Sequence, residues 1–357
     1  MDGWNWGTPA GDGRISLGIV GDTNIQDRED PASAFAHVMG ALRGFDALVG
    51  QWECPLTEAA PADGSPEVGF KPGWRHSRPA MARALTAAGF DAVSLASNVA
   101  YPPAAAAETA RHLDALGIAH AGAGADRARA RAPAVVEASG TRIALLSYTS
   151  VFWPIEQPAT ETTPGVATIR AHTAYSPGRR ALEMPGAPPE IRTWADPAEL
   201  EALVRDVEAA RREADLVVVS CHWGVSSQEE FVAYQREIAH AAIDAGAGLV
   251  YGTHPHRIQA VEVYRGAPVF YSLGNFAFDW PKMRGRHLDG LMVRCLVERG
   301  RVAEAGFVPV RRGPDNDVRI LDPRTPEGAA VVARTQALSE GLGTRLEVVG
   351  AEVRIGG

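Results

Sequence analysis

Cysteine is scarce: Cys54, Cys221 and Cys295 are the three thiols of a 357-residue chain, widely spaced and each in an apolar, strand-like context. An odd, scattered set of this kind excludes a disulfide framework and predicts reduced core thiols. Long apolar runs are also lacking. No stretch approaches the ~18 residues of a membrane helix, and the start, Met1 to Pro9, has neither the basic nor the apolar part of a signal peptide. The expectation is a soluble, cytoplasmic protein without membrane insertion. Nor is there an excess of basic charge: 35 Lys and Arg stand against 43 Asp and Glu, a formal charge of −8. An extended nucleic-acid surface needs a basic stripe to displace counterions, so no nucleic-acid partner is expected. There is no internal repeat and no low-complexity tail.

What is present is an apolar content of 46%, enough for a substantial core, arranged as short buried strands alternating with amphipathic helices. Strands are predicted at Ile15–Val20, Ala47–Gln51, Ala92–Ala96, Ile143–Ser147, Leu216–Ser220, Leu249–Tyr251 and Val269–Leu273. Helices are predicted near 32–43, 78–88, 104–116, 197–213 and 228–245. The alternation indicates an α/β layered sandwich. Hairpin character at Val261–Tyr264, Leu291–Val297 and Val302–Pro309 makes the sheets mixed. One domain is expected over 1–357, closed after Arg311 by a C-terminal extension at about 312–357, with a helix near 326–340 and a strand near 345–354. Between about 151 and 196 many prolines, scattered aromatics and no clear period predict an irregular insertion, read as a lid over substrate.

Chemistry-bearing residues gather at predicted strand ends, where α/β sheets collect ligands. Gly252-Thr253-His254-Pro255-His256 follows an apolar run, and Ser220-Cys221-His222-Trp223-Gly224 lies roughly thirty residues earlier. A proline between two histidines separates their directions in a way that a core seldom requires. The first strand runs into Asp22 and Asn24, the second into Glu53, the third into Asn98. Asp22, Asn24, Glu53, Asn98, His222, His254 and His256 thus form a carboxylate, amide and imidazole set, suited to manganese, iron or zinc rather than to a thiolate-type structural zinc. So many donors predict two divalent metal ions, with Glu53 bridging them. A pair about 3.5–4 Å apart lowers the pKa of a shared water and stabilises transition-state oxygens. Lys71, Arg75, His76 and Arg78, in and just after a second loop over 57–77, are candidates for holding a carboxylate or phosphate, as are Tyr101 and Tyr148 for contacting substrate. Gln259 and Asn275 are read as orienting ligands or loops through their amides.

The ordered motifs Gly21-Asp22, Glu53-Cys54-Pro55-Leu56, Ser94 to Asn98, His222-Trp223-Gly224, Gly252 to Gln259 and Tyr271 to Phe276 resemble the capsule-synthesis, poly-gamma-glutamate-synthesis (CapA-type) family. That family is similar to the calcineurin-like metallophosphatases. The resemblance covers roughly residues 15–300. It implies a four-layer α/β/β/α sandwich with mixed sheets and a dinuclear site whose catalytic residues are Asp22, Glu53, Asn98 and His222. Three departures stand out. Asn24 replaces a histidine of the phosphatases, Val99 replaces the histidine that follows the third-strand asparagine, and Gly224-Val225-Ser226 lacks a glutamate that many relatives carry. Val99 cannot protonate a leaving group, which leaves three outcomes: His76, Tyr101, Tyr148 or His287 supplies the proton, the substrate has a good leaving group, or the metal site serves a different reaction. The expected function is a metal-dependent hydrolase acting on an anionic small molecule or glutamate-containing substrate. The resemblance favours a gamma-glutamyl-like amide over a phosphoester. The alternatives are a non-catalytic polyanion-binding component of polymer or capsule synthesis, and a metal-dependent transferase or cyclase. The sequence leaves the oligomeric state open.

Overall fold

Two β-sheets lie face to face, and the alternation of side chains along each strand dictates it. The computed structural model describes residues 13–58, 76–154 and 156–357. In the strand Arg14–Asn24, Ile15, Leu17 and Ile19 point into one buried cluster, while Val20 joins another. Leu216–His222 behaves the same way: Leu216 and Val218 enter the cluster shared with Ile15, whereas Val217, Val219 and Cys221 enter a third. Period two thus gives every central strand one face toward the opposing sheet and one toward helices.

The larger sheet has ten strands. Its lateral order is Arg345–Val349, Glu352–Gly356, Arg301–Arg312, Asp289–Glu298, Arg14–Asn24, Ala47–Trp52, Ala92–Ser94 and Ala119–Ala121; Asn275–Phe278 and Val318–Ile320 pair off this path. The smaller sheet runs Val261–Tyr264, Ala267–Phe270, Leu249–Thr253, Leu216–His222, Thr141–Thr149 and Ala134–Ala138. Both combine parallel and antiparallel neighbours. Phe35, Leu42, Leu85 and Leu113 cover the outside of the larger sheet, and Leu203, Val207, Ile238 and Ala242 that of the smaller. This is the expected α/β/β/α sandwich of four layers with mixed sheets.

The helices obey local rules. Pro197–Ala210 begins at Asp196, whose carboxylate accepts from Ala198 N and Glu199 N, with proline at the first helical position. Among the described residues no helix is long and apolar enough to cross a membrane.

Three sequence expectations are corrected. The run Val269–Leu273 is not one strand: Ala267–Phe270 belongs to the smaller sheet and Asn275–Phe278 to the larger, because the chain changes sheet at Gly274, whose φ is +69°. The 151–196 segment is not irregular throughout: Ala171–Ser176 and Glu190–Ala195 pair as an antiparallel ribbon. Side chains on both its faces stay largely exposed, which erased the alternation that marks a half-buried strand. The C-terminal strand is a hairpin, Arg345–Val349 with Glu352–Gly356, that extends the larger sheet.

Candidate metal centre

The centre forms where both sheets present strand ends to the space between them. Asp22 reaches it through a backbone irregularity. Pairing with Ala47–Trp52 shifts register between Val20 and Asp22, so Asp22 does not share the helix-side direction of Val20. Such bulges re-aim side chains. Gly21 is required there: a Cβ at this position would sit 2.1 Å from Gly274 O, and Asp22 N donates to that same oxygen at 3.1 Å. Glu53 follows Ala47 and Val49 in alternation and so shares their inter-sheet side. His222 follows Val218 and Ser220 in the same way.

These parities converge. Asp22 Oδ1 is 3.8 Å from His222 Nδ1, and Glu53 Oε1 is 3.8 Å from His222 Nε2. His256 Nδ1 lies 3.5 Å from Asp22 Oδ2 and 3.9 Å from Glu53 Oε2. One donor atom from each of Asp22, Glu53 and His256 falls within 4.8 Å of the others, and all three residues are buried. The His254 ring stacks at a tilt against His222, centroids 4.9 Å apart. Asn98, on the loop after Ala92–Ser94, brings Oδ1 to 2.9 Å from His222 Nε2. Asn24 donates through Nδ2 to Glu53 O at 2.7 Å. All seven residues expected as ligands therefore gather at one place.

The set fits a cation. Asp22 Oδ1 and Asn24 Oδ1 are shielded from water and accept no hydrogen bond among the described residues. Buried oxygens of this kind are costly unless something fills the role of donor. The His254–His256 turn is held in backbone conformations that side chains seldom adopt, with φ of +92° and +57°. Strain of about 1–3 kcal/mol per such residue is typical of functional sites. His254 N donates to Asp22 Oδ2 at 3.0 Å, so the strained backbone also orients a carboxylate.

A surrounding layer fixes the donors. Thr253 Oγ1 lies 3.0 Å from His222 Nδ1, which directs Nε2 of the ring toward Asn98 and Glu53. Asn275 Oδ1 is 2.9 Å from His256 Nδ1, and its Nδ2 donates to His287 O at 3.1 Å. Trp223 is fully buried and donates through Nε1 to Tyr271 O at 2.7 Å. That contact clamps the His222-Trp223-Gly224 corner to the crossover between sheets. Gln259 instead holds a loop: Nε2 donates to Glu230 O and Gln228 O, and its carbonyl accepts from Gln235.

The residues expected to contact substrate divide. Lys71 and Arg75 lie outside the described residues. His76 Nε2 is 2.9 Å from Tyr101 O, which sets His76 against the Asn98 loop, where Tyr101 packs against Val99. Arg78 is exposed ahead of the Pro79–Ala82 turn. Tyr148 is corrected: it shares the parity of Ala144 and Leu146, so its ring lies in the helix-side cluster. There its hydroxyl donates to Asp206 Oδ2 at 2.8 Å beneath Arg131, and burial pushes the phenol well above its ordinary value. It has no access to the centre.

One contributor escaped sequence reading, and one expected proton donor is corrected. Gln157, fully buried in the insertion, accepts from Trp153 N and donates to Ser97 O and Ala100 O, bracketing Asn98. His287 stands at the rim; burial, with Arg257 beside it, pushes the imidazole down to about 4, leaving a neutral ring unable to act as an acid at neutral pH. No local motif marks Gln157, since the loop it holds through Ser97 and Ala100 lies about sixty residues away.

Known proteins place the chain. An uncharacterized protein of Sinorhizobium fredii is 26% identical over 90% of this chain and 87% of its own length. The capsule biosynthesis protein CapA of Bacillus anthracis is 26% identical over 83% of this chain and 67% of its own. A solved hypothetical protein from Thermus thermophilus matches with a TM-score of 0.48 and 15% identity, over 83% of this chain and 98% of its own. Residues 10–280 match the family described as bacterial capsule synthesis protein PGA_cap, and the chain belongs to that family.

Proposed function

We propose that this protein is a metal-dependent hydrolase that cleaves an anionic, glutamate-containing substrate at a gamma-glutamyl-like amide. The observation that carries this reading is the buried donor cluster of Asp22, Glu53 and His256, together with the unsatisfied oxygens of Asp22 and Asn24. Two divalent ions, when bound, supply an acidified water and positive charge for the oxygens of the transition state. Asp22, Asn24, Glu53, Asn98, His222, His254 and His256 would hold them. Asn98 Oδ1 and His222 Nε2, 2.9 Å apart, are spaced as two ligands of one ion with bonds of about 2.0–2.2 Å would be.

The remaining groups of this chain position rather than react. Thr253 and Asn275 fix the imidazole rings, and the Gln157 amide holds the loop that carries Asn98. Val99 stands where the metallophosphatases carry a histidine beside this asparagine, which weakens the phosphoester analogy; an amide also needs its leaving nitrogen protonated, so the preference for an amide rests on the family context. Membership of a capsule-synthesis family, and the name of the Bacillus anthracis relative, support the glutamate-polymer context.

The test begins with metal content by plasma mass spectrometry, on protein purified without chelator or metal-affinity resin, beside His254→Ala/His256→Ala. About two transition-metal ions per chain in the parent and their loss in the variant are expected. Protein loaded with manganese, iron or zinc should then hydrolyse gamma-glutamyl-p-nitroanilide faster than p-nitrophenyl phosphate. A parent that takes up no metal sinks the reading.

A further inference from the structure

Two loops meet at the rim beside His256. One follows His222-Trp223-Gly224, and the other joins Asn275–Phe278 to Asp289–Glu298. Side chains connect them: Ser227 Oγ lies 3.0 Å from His287 Nε2, and Arg257 Nη1 lies 3.3 Å from His287 Nδ1. Each loop is also tied to the centre. Ser227 N donates to Pro255 O at 2.8 Å, between the two histidines of the turn. Asn275, which holds His256, donates to His287 O. Ser227 and His287 both have positive φ, +66° and +48°. Buried Arg312 donates to the carbonyls of Met283, Arg286 and His287, so the second loop is held rigidly.

The arrangement resembles a serine activated by histidine, yet its hydrogen bonds run the other way. A guanidinium has no acceptor, so Arg257 must donate to His287 Nδ1. The neutral ring then carries its proton on Nε2 and donates to Ser227 Oγ. A base that activates a serine has to accept at that nitrogen. Ser227 is therefore not prepared for attack, and its hydroxyl proton is left to point away from the pair. Ser227 is exposed. Arg257 adds a donor, since its Nε–H is shielded and has no acceptor among the described residues. Glu229 neutralises one charge but is shared between Arg257 and Arg334, so one cation remains in excess.

We propose that Ser227, Arg257 and His287 form an oxyanion-recognition subsite beside the metal centre, which grips a carboxylate or phosphate of the ligand away from the scissile bond. Ser227 acts there as a hydrogen-bond donor and not as a nucleophile. Calling that ligand a substrate rests on the hydrolase reading; the subsite itself does not.

Calorimetric titration of inorganic phosphate and of glutarate into the full chain tests this, with the protein as purified and after metal removal, for the parent, Ser227→Ala and His287→Gln. The tighter of the two anions should bind about 10-fold more weakly to Ser227→Ala, the loss typical of one charge-assisted hydrogen bond, and also more weakly to His287→Gln, which removes the ring that orients the Ser227 hydroxyl, with metal content and melting temperature unchanged. Parent-like affinity in Ser227→Ala, or no anion binding by the parent in either state, overturns the proposal. Metal-free titrations keep the test separate, because a parent without metal would defeat the hydrolase reading while the variants still report on the rim. A fluorophosphonate probe should leave Ser227 unlabelled, and labelling there would overturn its assignment as a donor.

Discussion

Asn98 Oδ1 and His222 Nε2 meet at 2.9 Å although 124 residues separate them, one on a loop of the larger sheet and the other at a strand end of the smaller. The contact joins the two sheets at the centre, and it is made of two groups that a cation can share. Asn98→Ala removes one donor and leaves a small space at a partly solvated position. Metal affinity should fall by about 10–100-fold, as for other metal-site partners, while the melting temperature of the metal-free protein moves by only a few degrees. Competition with a fluorescent chelator measures the first quantity and calorimetry the second.

Gly252 tests the clamp beneath the histidine turn. A Cβ there would lie 2.1 Å from Tyr271 O and 2.2 Å from Trp223 Nε1, two groups hydrogen-bonded to each other. Neither can retreat without opening the crossover between sheets. Gly252→Ala should cost about 3 kcal/mol, the upper range for overpacking, and lower the metal content as His254 and His256 shift. Denaturant unfolding decides it; an unchanged midpoint would show that the clamp is dispensable.

Tyr148→Phe separates the two sides of the smaller sheet. Asp206 keeps its pairing with Arg131 when the phenol hydroxyl is removed. The expected stability loss is about 1 kcal/mol, with metal content and turnover unchanged. A fall in turnover with intact metal content would return Tyr148 to the substrate.

The thiols give a pH dependence with a definite sign. Burial pushes Cys295 and Cys54 up to about 12 from an ordinary value of 9.0. Each therefore supports the fold fully below about pH 9, where both states are protonated. That support is lost as pH rises toward 12, because the unfolded thiol ionises first, at about 1.4 kcal/mol per pH unit for each thiol. Alkaline denaturation should begin in this window, and at pH 8 a thiolate-specific reagent should react with none of the three cysteines until the chain is unfolded.

Much of this was legible in the sequence because it depends on short-range pattern. Asp22, Glu53, His222 and His254 each follow an apolar run within a few residues, and a strand end in an α/β chain is where ligands gather. Tyr148 also follows such a run, and was misplaced because the sequence does not say which face of Thr141–Thr149 meets the other sheet. One residue of parity separates Thr149, bonded to His222 O, from Tyr148 among the helices. The sheet change at Gly274 was invisible for a different reason: an apolar run shows burial and not which sheet it is buried in. The Ser227–His287 contact spans 60 residues and two loops, with no periodic signal on either side.

Gln157 shows how the insertion serves the centre. Its amide nitrogen donates to Ser97 O at 2.9 Å and Ala100 O at 3.1 Å, and the residue is fully buried. Gln157→Glu keeps the shape but replaces two donated hydrogen bonds with a carboxylate facing two carbonyls. A buried carboxylate facing two carbonyls is costly, so the Ser97–Ala100 turn should move away and take Asn98 with it. The loss belongs to metal binding, about 10-fold or more, with the Asp22, Glu53 and His256 cluster undisturbed on the far side. A metal titration should therefore show one weakened site and one retained. Equal weakening of both would mean that the insertion supports the whole centre, and unchanged binding would mean that Asn98 is held by His222 without help from Gln157.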